Sequence, residues 1–124
     1  MRVAVEYEID KFVSADIARS STSPWASSVV TVRKKYGGWQ MCVDYRRLNF
    51  LTKFDCFTLP RIDEALDAFA GATVFNSLDL AMAYYQVFVK PSDIEKIALI
   101  THVGLFRMQM MPFSLCNAFT TYQR

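Results

Sequence analysis

A mixed α+β fold is what this sequence predicts, and three observations carry that reading. Val5, Ile9, Phe12 and Val13 recur at i, i+4, i+7 and i+8, the spacing of one helix face. Residues 29–35 form an extended, β-branched run that meets Tyr36-Gly37-Gly38 and returns through residues 39–44. A second strand pair, residues 98–101 and 105–110, flanks the bend His102-Val103-Gly104. With 124 residues, 52% of them hydrophobic and 21% charged, the chain has the length of one domain or of a piece of a larger one. That composition favours a packed core and argues against disorder.

The first helix, residues 3–13, precedes Ser20-Ser21-Thr22-Ser23-Pro24, a polar break rich in turn formers. In the hairpin that follows, the Gly-Gly pair supplies the positive φ angles a tight turn demands. Residues 45–57 show neither period and read as irregular. Leu59-Pro60 then opens a scaffold helix in which Ile62, Ala65, Leu66 and Phe69 share a face. Asp63 and Glu64 suit its positive end, and Gly71 closes it. Residues 74–80 read as a central strand ending at Asp79. Ser92-Asp93-Ile94-Glu95 has the Ser-x-x-Glu form of a capping box, so a helical turn is expected to start there. After the second hairpin, Met111-Pro112 breaks the strand and Ser114 stands where it would cap a last helix through Tyr122. There is no internal repeat and no low-complexity tract.

The chemistry centres on residues 75–86, FNSLDLAMAYYQ, where Asp79 stands between Leu78 and Leu80. A lone carboxylate in an apolar run costs several kcal/mol unless it is paired, about 2–7 on the usual transfer scales for a polar group. A hard divalent cation is one partner, since Mg2+ takes carboxylate and phosphate oxygens; capping the helix that follows is the other. Net charge is only +2, but seven cations fall between Arg33 and Arg61 (Arg33, Lys34, Lys35, Arg46, Arg47, Lys53, Arg61), against Asp44 and Asp55. Half of the fourteen basic residues thus occupy under a quarter of the chain, the pattern of a phosphate-facing surface or of a solvated face. Three widely spaced cysteines, Cys42, Cys56 and Cys116, fit no zinc spacing and no closed disulfide framework. They suggest reduced, buried thiols in an intracellular protein. Glu6 and Glu8 interrupt any signal-peptide core, and no apolar run approaches the ~20 residues of a membrane span. The expectation is a protein neither secreted nor in a membrane.

Four stretches, SPWASSVVTVRKKYGGWQMCVDYRRLN, FTLPRIDEAL, FNSLDLAMAYYQV and MPFSLCNAFTTYQR, resemble the reverse transcriptase of gypsy-type long-terminal-repeat retrotransposons. The resemblance runs from about Val5 to Arg124 and implies the fingers (about 1–72) and the first part of the palm (about 73–124) of a right-hand polymerase. It implies that Asp79 is a catalytic, metal-binding aspartate, with the Leu80 carbonyl on one of two Mg2+ ions. Tyr84 would crowd the sugar 2′ position, Phe113 would lie under the incoming nucleotide, and Lys34 and Lys35 would close over its triphosphate. Arg33, Asp44, Arg46, Asn49 and Gln123 would serve the template–primer. Partners implied for the complete enzyme are an RNA or DNA template-primer and deoxynucleotides.

Departures from the family pattern are specific. Gln40 stands in place of an arginine that grips the triphosphate, Ser114 in place of a glycine, and Phe119 in place of a proline. Ala81, Met82 and Ala83 replace Arg-Ser-Gly. The Tyr-x-Asp-Asp motif, the thumb and the RNase H region are not in this sequence, so the chain alone is expected to be inactive. Two alternatives remain beside a polymerase piece or decayed copy: a non-catalytic nucleic-acid-binding remnant using residues 33–61, and an unrelated α+β domain whose Asp79 caps a helix. Met108, Met110, Met111, Phe113 and Phe119 are expected to be the stickiest residues of the chain.

Overall fold

Residues 2–124 are described by the computed structural model. Helix α1 (Arg2–Ser14) buries Val5, Ile9 and Phe12, so the first helical period is real. It ends in two reversed hydrogen bonds, Asp16 N–H to Val13 O and Ile17 N–H to Phe12 O, with Asp16 left-handed at φ 56°. That is the Schellman arrangement with aspartate where glycine is usual, and the Asp16 carboxylate takes both Nε and Nη2 of Arg19.

Five strands follow from the extended segments: β1 (Ala18–Ser20), β2 (Ser27–Arg33), β3 (Trp39–Val43), β4 (Ala98–Thr101) and β5 (Gly104–Met108). They form one sheet in the order β1-β5-β4-β2-β3, antiparallel throughout except for the parallel β2–β4 pair. Both expected hairpins are present. The sheet joins strands separated by more than sixty residues of sequence, from both the region about 1–72 and the region about 73–124. The ladder then runs on irregularly: Val89 N–H donates to Gln109 O, Met111 N–H to Val87 O, and Gln109 N–H to Ile17 O. Segment 87–89 is thereby held beside 109–111.

The core lies between α1 and one face of the sheet, where Met41, Val43, Leu99 and Met108 meet Val5, Ile9 and Phe12. Tyr45 is 1% exposed and its hydroxyl donates to Ile97 O at 2.8 Å, which satisfies the one polar atom it brings inside. Tyr85 stacks on Phe12 with centroids 5.1 Å apart. Burial raises the pKa of both phenols, and that of Tyr85 is pushed up to about 12, with Glu8 and Cys42 adding smaller effects. A raised folded-state pKa means that the folded chain holds its protons longer than the unfolded chain, whose tyrosines ionise near ~10. This contribution to stability is therefore complete below about pH 10 and is lost as pH rises through about 12. Thermal melts across that window should show a falling midpoint, and Tyr85→Phe should flatten the fall; an unchanged slope in the variant would contradict the assignment.

Several sequence expectations are corrected. Residues 45–57 are not wholly irregular: α2 (Arg46–Leu51) forms there without a side-chain cap, anchored instead by the burial of Tyr45 at its entry. Residues 74–80 are not a central strand. They run without ladder pairing, and Val74 (78%), Phe75 (61%) and Leu78 (92%) are exposed. A strand needs a neighbouring edge to accept its backbone groups, and none of the five strands of the sheet pairs with this segment. The helix from Leu59-Pro60 exists as α3 (Ile62–Asp67), with Gly71 left-handed at φ 84° beyond it, but it is no scaffold. None of its residues is buried, and Phe69 just beyond it stands edge-on to Phe75 at 5.4 Å. The turn near Ser92 is a 3-10 helix, Pro91–Ile97, capped by position at Lys90, not Ser92. The last helix, α4 (Ala118–Gln123), starts after Asn117, not Ser114. The cysteines are free, but Cys56 is exposed and Cys42 and Cys116 are only half-buried. Among the described residues no helix is long and apolar enough to cross a membrane.

Candidate functional site

The cationic hairpin forms as expected. Lys34 N–H donates to Gly38 O and Gly37 N–H to Lys34 O, closing a turn in which Gly37 (φ 91°) and Gly38 (φ 81°) sit where side chains are rarely tolerated. Arg33, Lys34 and Lys35 are all exposed there, and the Lys35 ammonium lies 5.9 Å from the centre of the Tyr36 ring.

At the entry to α2, Asp44 accepts from Arg46 Nε at 2.8 Å and Nη2 at 2.6 Å, and from the Arg46 backbone N–H at 3.2 Å. Those bonds to the guanidinium, and then to the amide, hold the Asp44 carboxyl down at about 2. Arg46 is thus engaged by its own neighbour, while Arg47 beside it makes no ion pair among the described residues. One turn later, Asn49 works as a strut. Its Nδ2 donates to Ser114 O at 2.9 Å and its Oδ1 accepts from Cys116 N–H at 2.9 Å. The segment following Phe113 is fixed to α2 by this one carboxamide.

Asn117 does the same for the other side of that loop, and the sequence reading missed it. Its Nδ2 donates to Lys53 O at 2.8 Å and its Oδ1 accepts from Asp55 N–H at 3.0 Å. Arg124 completes the tie, donating to Asp55 at 2.6 Å while stacking 5.0 Å over Phe57. The available signal was an asparagine directly before a helical period, which marks a cap position. Tyr84, on the 3-10 turn Ala83–Gln86, meets Tyr122 of α4 edge-on at 5.6 Å, so the residue expected at the sugar is joined to the helix that carries the exposed Gln123.

Asp79 and Leu80 lie on the exposed segment before this cluster, and Met82 between them and Tyr84 is left-handed at φ 52°. A non-glycine residue in that conformation stores strain, on the order of 1–2 kcal/mol. Among the described residues no three His, Cys, Asp or Glu side chains gather where they could hold a metal ion. Asp79 therefore offers one carboxylate, which does not by itself make a magnesium site. The structure brings Asn49 to the Phe113 loop and Tyr84 to α4; it leaves the hairpin cations and Asp79 as separate, solvent-facing groups.

No family model matches the chain. It is 36% identical over 129 residues to the retrovirus-related Pol polyprotein from transposon opus of Drosophila melanogaster, a match that covers 100% of this chain and 13% of that protein. It is 40% identical over 83 residues to an RNA-directed DNA polymerase homolog of Oenothera berteroana, covering 67% of this chain and 58% of that one. Among solved structures, a prototype foamy virus protease-reverse transcriptase superposes with a TM-score of 0.78 at 19% identity, over 96% of this chain and 16% of the other. A foamy viral protease-reverse transcriptase bound to double-stranded DNA also gives a TM-score of 0.78, at 16% identity over 98% of this chain and 21% of the other. The chain thus spans about an eighth of the length of the first of these relatives.

Proposed function

Because the chain belongs with the reverse transcriptase region of retrovirus-related Pol polyproteins, we propose that it supplies the fingers (about 1–72) and first palm part (about 73–124) of an RNA-directed DNA polymerase. The observation that carries this reading is the whole-length relationship to a transposon Pol polyprotein, joined to a matching fold. In it Asp79 is the first catalytic carboxylate. Phosphoryl transfer asks for positioning and for stabilisation of charge, and bound Mg2+ supplies the second of these. Asp79 and the Leu80 carbonyl would be this chain's share of the donor set.

The rest of the work belongs to residues that bind and orient. Lys34 and Lys35, on a turn that can approach a ligand without side-chain bulk at Gly37 and Gly38, offer point charges to a triphosphate. Tyr84, backed by Tyr122, presents a rigid ring to the sugar, and Phe113 offers an apolar platform whose loop is fixed by Asn49. Arg33, Arg46 and Asn49 serve the template–primer, with Asp44 orienting Arg46 and Gln123 meeting the strand from α4. Foamy viral protease-reverse transcriptases have been solved with double-stranded DNA and with an RNA/DNA hybrid, which supports nucleic acid as the partner class.

With a single carboxylate of the catalytic set, the 124-residue chain should not extend a primer on an RNA template with Mg2+ or Mn2+. Sustained deoxynucleotide incorporation that disappears in Asp79→Asn would overturn this expectation.

A further inference from the structure

A pocket of about 520 Å3 opens between α2, segment 87–90 and α4; the struts Asn49 and Asn117 stand on its wall, and no role assigned above fills its apolar interior. Its walls are chiefly apolar, with Trp25, Leu48, Val87, Met111 and Leu115 among them. A volume of roughly 300–1,000 Å3 with apolar walls and a few convergent polar groups is the usual form of a small-molecule site. Trp25, Leu48, Leu51 and Lys96 also line a second recess of about 840 Å3, which holds Arg46 and Arg47, so the two recesses adjoin.

Charge decides what kind of ligand suits it. Four cations line the two recesses (Lys90 and Lys96 on the first, Arg46, Arg47 and again Lys96 on the second), against Asp93 and Asp44. Each carboxylate already holds a cation: Asp93 pairs with Lys96 at 2.7 Å and Asp44 with Arg46 at 2.6 Å. Lys90 and Arg47 are left without an ion pair among the described residues, Lys90 on the apolar recess and Arg47 on the neighbouring one. A neutral apolar ligand would leave that excess charge unused, and a cation would be repelled.

We propose that this pocket binds a planar aromatic anion, the ring among the apolar walls beside Trp25 and the anionic group answered by Lys90. The proposal does not rest on the polymerase reading, and either can fail without the other.

The test uses 2-naphthoate and its neutral counterpart 2-naphthalenemethanol, read by quenching of Trp25 in a Trp39→Phe background. The expected result is saturable one-to-one quenching by naphthoate, with the alcohol at least tenfold weaker. Lys90→Glu, a change at an exposed side chain, should weaken naphthoate tenfold or more with the melting temperature unchanged; Lys11→Glu, an exposed position on α1 outside the lining of both recesses, should not. Paired Leu66→Lys and Leu78→Lys changes, which remove apolar surface outside the pocket, should also leave binding intact. Equal affinity for acid and alcohol, indifference to Lys90→Glu, or loss of binding on altering Leu66 and Leu78 would each overturn the proposal.

Discussion

Binding of this chain to single- or double-stranded nucleic acid should be blind to sequence and should fall steeply with salt. Ion pairing sorts the cations by the free charge they bring. Arg46, oriented by Asp44, and Arg61, held by Asp63, are already neutralised, whereas Arg33, Lys34, Lys35 and Arg47 are exposed and make no ion pair among the described residues. Each phosphate neutralised adds roughly 0.7–0.9 to the slope of log affinity against log salt, so four contacts give a slope of about −3 to −4. Affinity should then drop on the order of 100-fold between about 50 and 200 mM salt. Changing Arg33, Lys34 and Lys35 together to Ala should remove most of that slope. Binding that is flat with salt, or unchanged in the triple variant, would remove the phosphate-facing role of the hairpin.

Self-association is the second large effect, and its seat differs from the one the sequence suggests. Of the residues the sequence singles out, Met108 and Met111 are buried and Met110 is half-buried, while Phe113 (38%) and Phe119 (51%) are exposed as expected. A large share of the exposed apolar surface lies on α3 and the segment after it, where Ile62 (80%), Leu66 (62%), Val74 (78%) and Leu78 (92%) face solvent. Apolar surface left in water on that scale drives association. Size-exclusion chromatography should show oligomers and dye uptake, and Leu66→Lys with Leu78→Lys should shift the chain towards monomer. A monodisperse wild-type monomer that takes up no dye would contradict this.

What was legible in the sequence was local. The helical period of α1, the Gly-Gly turn and the second hairpin depend on near neighbours, and each formed where its pattern lay. The failures share a cause in long-range structure. Residues 74–80 have a strand's composition, but composition does not provide the edge a strand must pair with. Segment α2 lacks a cap and a clear period because its position comes from Tyr45, bonded to Ile97 fifty-two residues on. The struts Asn49 and Asn117 tie segments more than sixty residues apart; the position of Asn117 before a helical period marks a cap, but nothing in the spacing of either residue names its distant partners. For the candidate site, the residue types were readable through family resemblance. Which of them come together was not: Tyr84 joins Tyr122 and Asn49 joins the Phe113 loop, while Asp79 stands apart from both.

The central claim is that Asp79 is a catalytic carboxylate of an RNA-templated polymerase. Its most direct test is a chimera in which these 124 residues replace the matching stretch of the transposon opus Pol polyprotein. Primer extension on RNA is then measured beside the same protein carrying Asp79→Asn. The account predicts deoxynucleotide incorporation by the chimera and its loss by about 1,000-fold or more in the variant, the scale expected when charge stabilisation of the transition state is removed. Incorporation that proceeds equally well in Asp79→Asn, or its absence from a folded chimera that binds template–primer, would contradict it.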